Sequence, residues 1–238
     1  MKKNQSITVD YDVISNIDID EKFEFTCYQC GGCCTDRDDI VLSAYDVYKA
    51  SKELNMHPCE FINKYCYTYI SAESYMVRVQ FKPQGRKMRC PMLKNKKCII
   101  QKAKPSICAM FPVGRVFTTK KCDETGTEKD AIEYLFCQHD CGVDDTHTVR
   151  EWFESYGIPV DDPIFIEWQK TISAVSEFAK DVKDAISEIN ARGELQDILL
   201  YLFINYDTSE EFIPQLQRNM EDVIDTLKEI KVVLSKDR

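Results

Sequence analysis

Four cysteines fall within eight residues of this chain, in the run Phe25-Thr26-Cys27-Tyr28-Gln29-Cys30-Gly31-Gly32-Cys33-Cys34. A C-x-x-C step turns the backbone so that both sulfurs point to one side and converge on one ion. The step from Cys30 to Cys33 adds a third sulfur, and Cys34 follows at once. Adjacent side chains usually diverge, so one of Cys33 and Cys34 is expected to serve a different metal or to stand in reserve. Gly31 and Gly32 give the loop the dihedral freedom and close approach that such a wrap needs. The chemistry implied is thiolate coordination of a metal or cluster, in preference to disulfides or inert thiols.

A second group of sulfurs lies further on. Cys90-Pro91-Met92-Leu93 is followed by Cys98-Ile99-Ile100 and by Lys104-Pro105-Ser106-Ile107-Cys108-Ala109-Met110-Phe111-Pro112. Cys137-Gln138-His139-Asp140-Cys141-Gly142 is a further candidate. Prolines beside these cysteines fix turns and keep the thiols out of regular pairing. Four-ligand sites commonly draw ligands from separated loops, so the expected metal set is Cys27, Cys30, Cys33 and Cys34 with Cys90, Cys98, Cys108 and Cys141. Cys141 is preferred to Cys137 because Gly142 follows it as Gly31 follows Cys30. His139 is a candidate ligand or supporting group.

Zinc takes four ligands, and a [4Fe–4S] cluster takes four cysteines, three of which can come from one loop. The candidate thiols outnumber the needs of one mononuclear site. A [4Fe–4S] cluster or other iron centre is therefore the preferred cofactor and Zn²⁺ the alternative. The ferredoxin continuation x₃-C-P after the third cysteine is missing, since Cys34 comes next. Cys59 and Cys66, seven apart on an expected helix, read as core residues sharing a face. Cys122 reads as a free thiol in a charged loop, His57 as a helix-start residue, and His147 as a capping or surface residue.

The elements that must position these groups are mixed in the first half of the chain. Ile40-Val41-Leu42 reads as a short strand. Ser43 to Asp46 caps a helix through Leu54, and Pro58 starts another through about Ile70. Met76 to Phe81 alternates like a half-buried strand. Val113–Thr119 and Ala131–Phe136 are further strand candidates. All twelve cysteines lie between Cys27 and Cys141. From about Thr146 the chain reads as helical, with a capping box at Thr148-Val149-Arg150-Glu151 and an N-cap with proline at Asp162-Pro163. Apolar residues from Ile164 to Ile189 recur at helical spacing up to Gly193. Ile198 to Phe203 and Ser209 to Val233 mark the last helices. The expected fold is α+β: an N-terminal segment over 1–22, a small cysteine-rich metal-binding domain of short strands and helices over 23–156, and an all-helical region over 157–238.

A chain of 238 residues is too long to need disulfide staples for its core. It starts polar and acidic, without the apolar stretch of a signal peptide, and no apolar run approaches the length of a membrane span. The expectation is a cytoplasmic protein with reduced thiols and no membrane association. A net charge of −9 disfavours nucleic acid as a partner. One region runs against that balance: Lys82, Arg86, Lys87, Arg89, Lys94, Lys96, Lys97, Lys102 and Lys104 crowd around Cys90 and Cys98. They read either as a solvated loop set or as cations that offset a thiolate site and meet an acidic protein or peptide partner. No G-x-S-x-G, Walker loop or G-x-G-x-x-G is present, and eight glycines offer no rich cradle for a nucleotide.

With these residues in hand, the chain resembles the YkgJ family of cysteine-cluster proteins, those with a zinc- or iron-chelating CxxCxxCC domain. The resemblance rests on Phe25, Cys27, Cys30, Gly31, Cys33 and Cys34, then Ile40, Leu42 and Asp46. It continues through Cys90-Pro91, Leu93, Cys98, Ile100, Pro105, Cys108 and Phe111-Pro112. It covers about residues 23 to 156. Gln101 stands where a tyrosine is common, Lys104 where arginine is common, and Ala109 where a basic residue often follows the cysteine. The resemblance implies metal chelation without fixing a reaction. A similar cluster occurs in bacterial flagellin lysine methylases, so a metal-dependent enzyme that modifies a protein or peptide is one alternative. A zinc-stapled interaction module is another.

Overall fold

The computed structural model describes residues 14–121, 128–137, 145–182 and 193–236. The chain is α+β and folds as two compact units, one of residues 1–38 and 83–166, the other of 39–82 and 167–238. This partition differs from the expected divisions at 22/23 and 156/157. The expected divisions followed cysteine usage, whereas the units are set by which segments pack against one another.

The first unit is built on a three-stranded antiparallel sheet in the order β1 (Ile14–Ile17), β9 (Glu128–Cys137), β8 (Val113–Lys121). A second ladder pairs β2 (Lys22–Glu24) with β10 (Thr146–Thr148), so residues 14–24 belong to the sheets of this unit rather than to a separate leading segment. Both strand candidates, Val113–Thr119 and Ala131–Phe136, lie inside the long β8–β9 pair. The capping box at Thr148 and Glu151 opens helix α4 (Val149–Ser155), whose Trp152 and Phe153 point into the core. That core gathers Ile17, Phe23, Phe25, Met110, Val113, Tyr134, Val149, Trp152, Phe153 and Ile158. Each large side chain buried there stabilises the fold by about 1.5–3 kcal/mol before entropy is counted. Phe25 meets Phe111 and Trp152 edge-on, at 5.5 and 5.3 Å between ring centroids. These contacts anchor the loop that begins two residues later, at Cys27.

Helix α5 (Pro163–Asp181) opens as the sequence suggests: Asp162 accepts hydrogen bonds from the Ile164 and Phe165 amides at 3.0 and 3.2 Å. The same carboxylate faces Arg115 of β8, with Nη1 2.9 Å from Oδ2, and both side chains are almost wholly buried. The guanidinium lies 3.9 Å from the Phe165 ring centroid. Its Nε and Nη1 lack an aligned hydrogen bond, so the pair is held by charge and stacking.

The second unit carries the sheet β3 (Val41–Leu42), β5 (Val77–Phe81), β4 (Cys66–Ile70) with helices α1 (Ala44–Glu53) and α2 (Pro58–Tyr65). It also holds α6 (Glu194–Leu199), a π-turn at Leu200–Ile204, α7 (Phe212–Lys236) and the greater part of α5. The Ser43–Asp46 capping box forms as read. Helix α2 stops at Tyr65, short of the expected Ile70. Residues Tyr67-Thr68-Tyr69-Ile70 are β-branched and aromatic, and they pair with β5 instead. Strand β5 is also more buried than its alternation implied, with Val77, Val79, Gln80 and Phe81 all inside. Gly193 stands before α6 at φ 90°, and the helix it was expected to close falls outside the described residues. The stretch from 183 to 192, over which the α5 pattern was expected to continue, lies outside the described residues.

Candidate metal centre

The cysteine loop runs from Phe25, whose amide donates to the Asp145 carbonyl, into a tight wrap. Gln29 and Gly31 take left-handed φ of 51° and 75°, and a 3-10 turn follows at Gly32–Cys34. The Cys34 amide donates to the Gly31 carbonyl, and the Thr35 hydroxyl closes on the same oxygen at 3.0 Å. The Gly32 amide donates to Cys30 Sγ at 3.4 Å, the kind of N–H···S bond that stabilises a bound thiolate.

Two further segments are fastened to this loop. The Cys90 amide donates to the Cys34 carbonyl at 2.8 Å, which fixes Cys90 beside the 3-10 turn. From there the hairpin of β6 (Leu93–Lys94) and β7 (Lys97–Cys98) brings Cys98 opposite Leu93. The Leu93 side chain rests on Gly31, where an added Cβ would lie 3.1 Å from its Cδ1. Replacing Gly31 by alanine therefore strains both the left-handed backbone and this contact. It should cost about 1–2 kcal/mol and lower metal occupancy, as denaturant unfolding and metal analysis of the purified variant can check. Cys108 sits in α3 (Ser106–Met110), the short helix started by Pro105.

Cys27, Cys30, Cys33, Cys34 and Cys98 line one cavity of about 50 Å³, together with Phe25, Leu93, Lys104 and Phe111. Electrostatics tie the rest of the group to it. The thiol of Cys34 hydrogen-bonds to Cys33, and this contact holds Cys33 at about 6, aided by the charges of Lys104 and Arg37 and opposed by burial. Cys34 is pushed up by the same bond, by burial, and by the charges of Cys33, Cys90 and Cys108. Burial and the neighbouring sulfurs Cys98 and Cys33 raise Cys90 to about 11. Burial raises Cys98 and Cys108 as well. Lys104 Nζ stands 4.0 Å from Cys27 Sγ and is raised, against its burial, by Cys27, Tyr156, Cys33 and Cys108. The group is thus a set of crowded sulfurs in which burial and mutual proximity disfavour further thiolates beside Cys33, with Lys104 and Arg37 as nearby cations.

The adjacent sulfurs of Cys33 and Cys34 do not diverge as expected for neighbours. They lie 4.0 Å apart, because the 3-10 turn folds both toward the interior. Two thiolates bound to one tetrahedral zinc at about 2.3 Å stand about 3.8 Å apart, so this edge is close to what a single ion requires. Among the described residues, no three Cys, His, Asp or Glu side chains are set in a complete metal-binding arrangement. The donor type and number suit a metal.

The structure sorts the remaining candidates. Cys141, His139 and Cys122 lie outside the described residues. Cys137 ends β9, and burial raises its thiol, with no described cysteine contributing. Cys59 and Cys66 do not share a helix face: Cys59 lies on α2 at partial exposure, and Cys66 is buried in β4. Replacing Cys66 by alanine should cost about 1–2 kcal/mol in denaturant unfolding and leave metal content unchanged, and Cys59→Ala should cost less. His57 caps α2 by accepting from the Cys59 amide. His147 is half-buried in β10, where its Nε2 contacts the Phe25 carbonyl. Arg37 was not singled out in the sequence, although it follows the cysteine run by three residues, where a counter-charge would be expected. A larger open cavity of about 550 Å³, lined by residues such as Asn55, His57, Glu60 and Asp207, lies in the second unit and holds no cysteine. No described helix is long and apolar enough to cross a membrane. Compared with known protein families, curated proteins and solved structures, the chain matches none of them.

Proposed function

We propose that this chain is a metal-binding cysteine-cluster protein of the CxxCxxCC kind. The observation that carries the reading is the gathering of Cys27, Cys30, Cys33, Cys34 and Cys98 around one small cavity, with Cys90 hydrogen-bonded to the Cys34 carbonyl and Cys108 close enough to act on Cys34 through its charge. Cys27, Cys30, Cys33 and Cys34 would supply the inner thiolates, with Cys90, Cys98 and Cys108 from the other segments. Cys141 completes the proposed set.

A [4Fe–4S] cluster is the preferred occupant. The thiol surplus supports it, as does the N–H···S bond to Cys30. Such a cluster would supply electron transfer or, with an open iron, Lewis acidity. The protein's own residues hold the thiolates, screen them with Lys104 and Arg37, and limit water through Phe25, Leu93 and Phe111. Zinc is the second reading, favoured by the 4.0 Å edge between Cys33 and Cys34. Reduced thiol ligands also suit a cytoplasmic protein.

X-ray absorption on the metal-loaded protein tests the centre. A shell of four sulfurs at a metal with metal neighbours is the expected result. Four sulfurs without metal neighbours would select zinc, and a shell dominated by oxygen or nitrogen would remove the cysteine centre.

A further inference from the structure

From Pro83 to Lys121 the chain carries eleven lysines and arginines and no aspartate or glutamate, so all forty acids of this net −9 protein lie elsewhere. This asymmetry is concentrated in space by two tight turns. One is the Gln84–Arg89 turn, closed by reciprocal backbone hydrogen bonds of 2.8 and 3.0 Å, with Arg86, Lys87 and Arg89 exposed on it. The other is the β6–β7 hairpin, whose two-residue turn puts Asn95 and Lys96 at left-handed φ of 50° and 64°. A lysine in that backbone region is unusual, because asparagine and glycine occupy it at lower cost. Lys94, Lys96 and Lys97 are all exposed there.

Both turns are fastened to the cysteine loop. The carbonyls of Lys87 and Met88 accept from the amides of Asp36 and Arg37, and the Cys90 amide binds the Cys34 carbonyl. Leu93 seats the hairpin on Gly31. The acids that follow the cysteine run in this unit, Asp36 and Asp38, are both exposed. Among the described residues, none of the six basic side chains makes an ion pair. Lys96 itself lines the cavity of the cysteines, beside Tyr28, which is 57 % exposed.

We propose that these two turns form a cationic collar at the mouth of the cysteine cavity that docks an acidic protein, one whose contact surface carries clustered carboxylates. Unpaired cations held on a fixed frame are complementary to carboxylates, and such complementarity governs encounter and orientation. An exposed tyrosine among them adds an amphipathic contact of the kind enriched in protein interfaces. A discrete carboxylate cluster fits better than nucleic acid. A stiff duplex would run off a collar two turns wide onto a remainder that holds every acid of the chain, whereas a flexible run of carboxylates can coil onto the collar. The inference rests on the position of the collar beside the cavity, and it goes beyond the metal reading without depending on which metal is bound.

The test uses the full-length protein as purified, with fluorescent poly-L-glutamate as the acidic probe and duplex DNA of matched charge as the competitor class. The variant Arg86→Glu/Lys94→Glu/Lys97→Glu is compared with Lys22→Glu/Lys129→Glu/Lys180→Glu, which has the same net charge but alters exposed lysines elsewhere. The collar variant should weaken polyglutamate binding by about tenfold or more at low ionic strength, and the control by no more than about twofold. Wild-type affinity should fall on adding salt. The neutral variant Arg86→Gln/Lys94→Gln/Lys97→Gln should give an intermediate loss with unchanged far-UV circular dichroism and metal content. Equal losses in the two charge-reversal proteins would overturn the proposal, as would DNA binding as tight as polyglutamate, no binding of the probe, or a loss of affinity that appears only with loss of metal. Failure of the metal reading is distinguishable, because it would show as metal-free wild type with collar binding intact.

Discussion

Serine in place of Cys30 or Cys33 should abolish metal loading and destabilise the first unit. Both sulfurs lie in the tightest part of the wrap, and the Cys34 contact lowers the Cys33 thiol to about 6. A hydroxyl is a hard, weakly acidic donor, so it does not replace a thiolate toward zinc or iron. The loss should exceed the roughly 10–100-fold that follows removal of a supporting hydrogen bond. Structural consequences follow because metal binding contributes directly to folding free energy. The Cys34, Cys90 and Cys108 sulfurs, already raised by mutual proximity and burial, would be left without the cation that relieves their crowding. Metal stoichiometry across Cys27, Cys30, Cys33, Cys34, Cys90, Cys98, Cys108 and Cys141 variants checks the assignment. Full loading of Cys30→Ser and Cys33→Ser alike would place the ligands elsewhere.

The second large effect lies away from the sulfurs. Asp162→Ala should destabilise the protein by about 3–5 kcal/mol, because it strands the buried Arg115 charge. It also removes the carboxylate that caps α5, typically worth a further ~1 kcal/mol. Asp162→Asn keeps an acceptor for the cap and should fall between alanine and wild type. Arg115→Met/Asp162→Ala should recover much of the loss, since a methionine can lie against Phe165 without a stranded charge. Equilibrium denaturation of the four proteins measures this, with hydrogen exchange of β8 and the first turn of α5 as a local readout. A cost below about 1 kcal/mol for Asp162→Ala would mean that the pair is hydrated in solution.

What was legible in the sequence follows from how local each signal is. The capping boxes at Ser43 and Thr148 and the Asp162 cap are each encoded within a few residues, and all form where expected. The end of α2 was not legible, because Cys66 to Ile70 fits either a helix continuation or a strand. Only the distant partner β5 decides it. The unit boundaries were hidden for the same reason. Residues 39–82 join 167–238 through packing between segments far apart in the chain. The parallel set of Cys33 and Cys34 was missed because side-chain divergence of neighbours is a rule for extended and α-helical backbone, and the 3-10 turn departs from it. The separation of Cys59 from Cys66 follows from the α2 boundary.

Anaerobic purification followed by iron, zinc and sulfide analysis with an absorption spectrum decides whether the cysteines hold a centre. Iron and acid-labile sulfide with a broad visible band are expected, lost in Cys33→Ser and retained in Cys66→Ala; a colourless protein with one zinc per chain would keep the cysteine centre and change its occupant. Metal-free protein that remains folded in chelator, and takes up neither zinc nor iron when they are supplied under reducing conditions, would mean that these cysteines hold no metal.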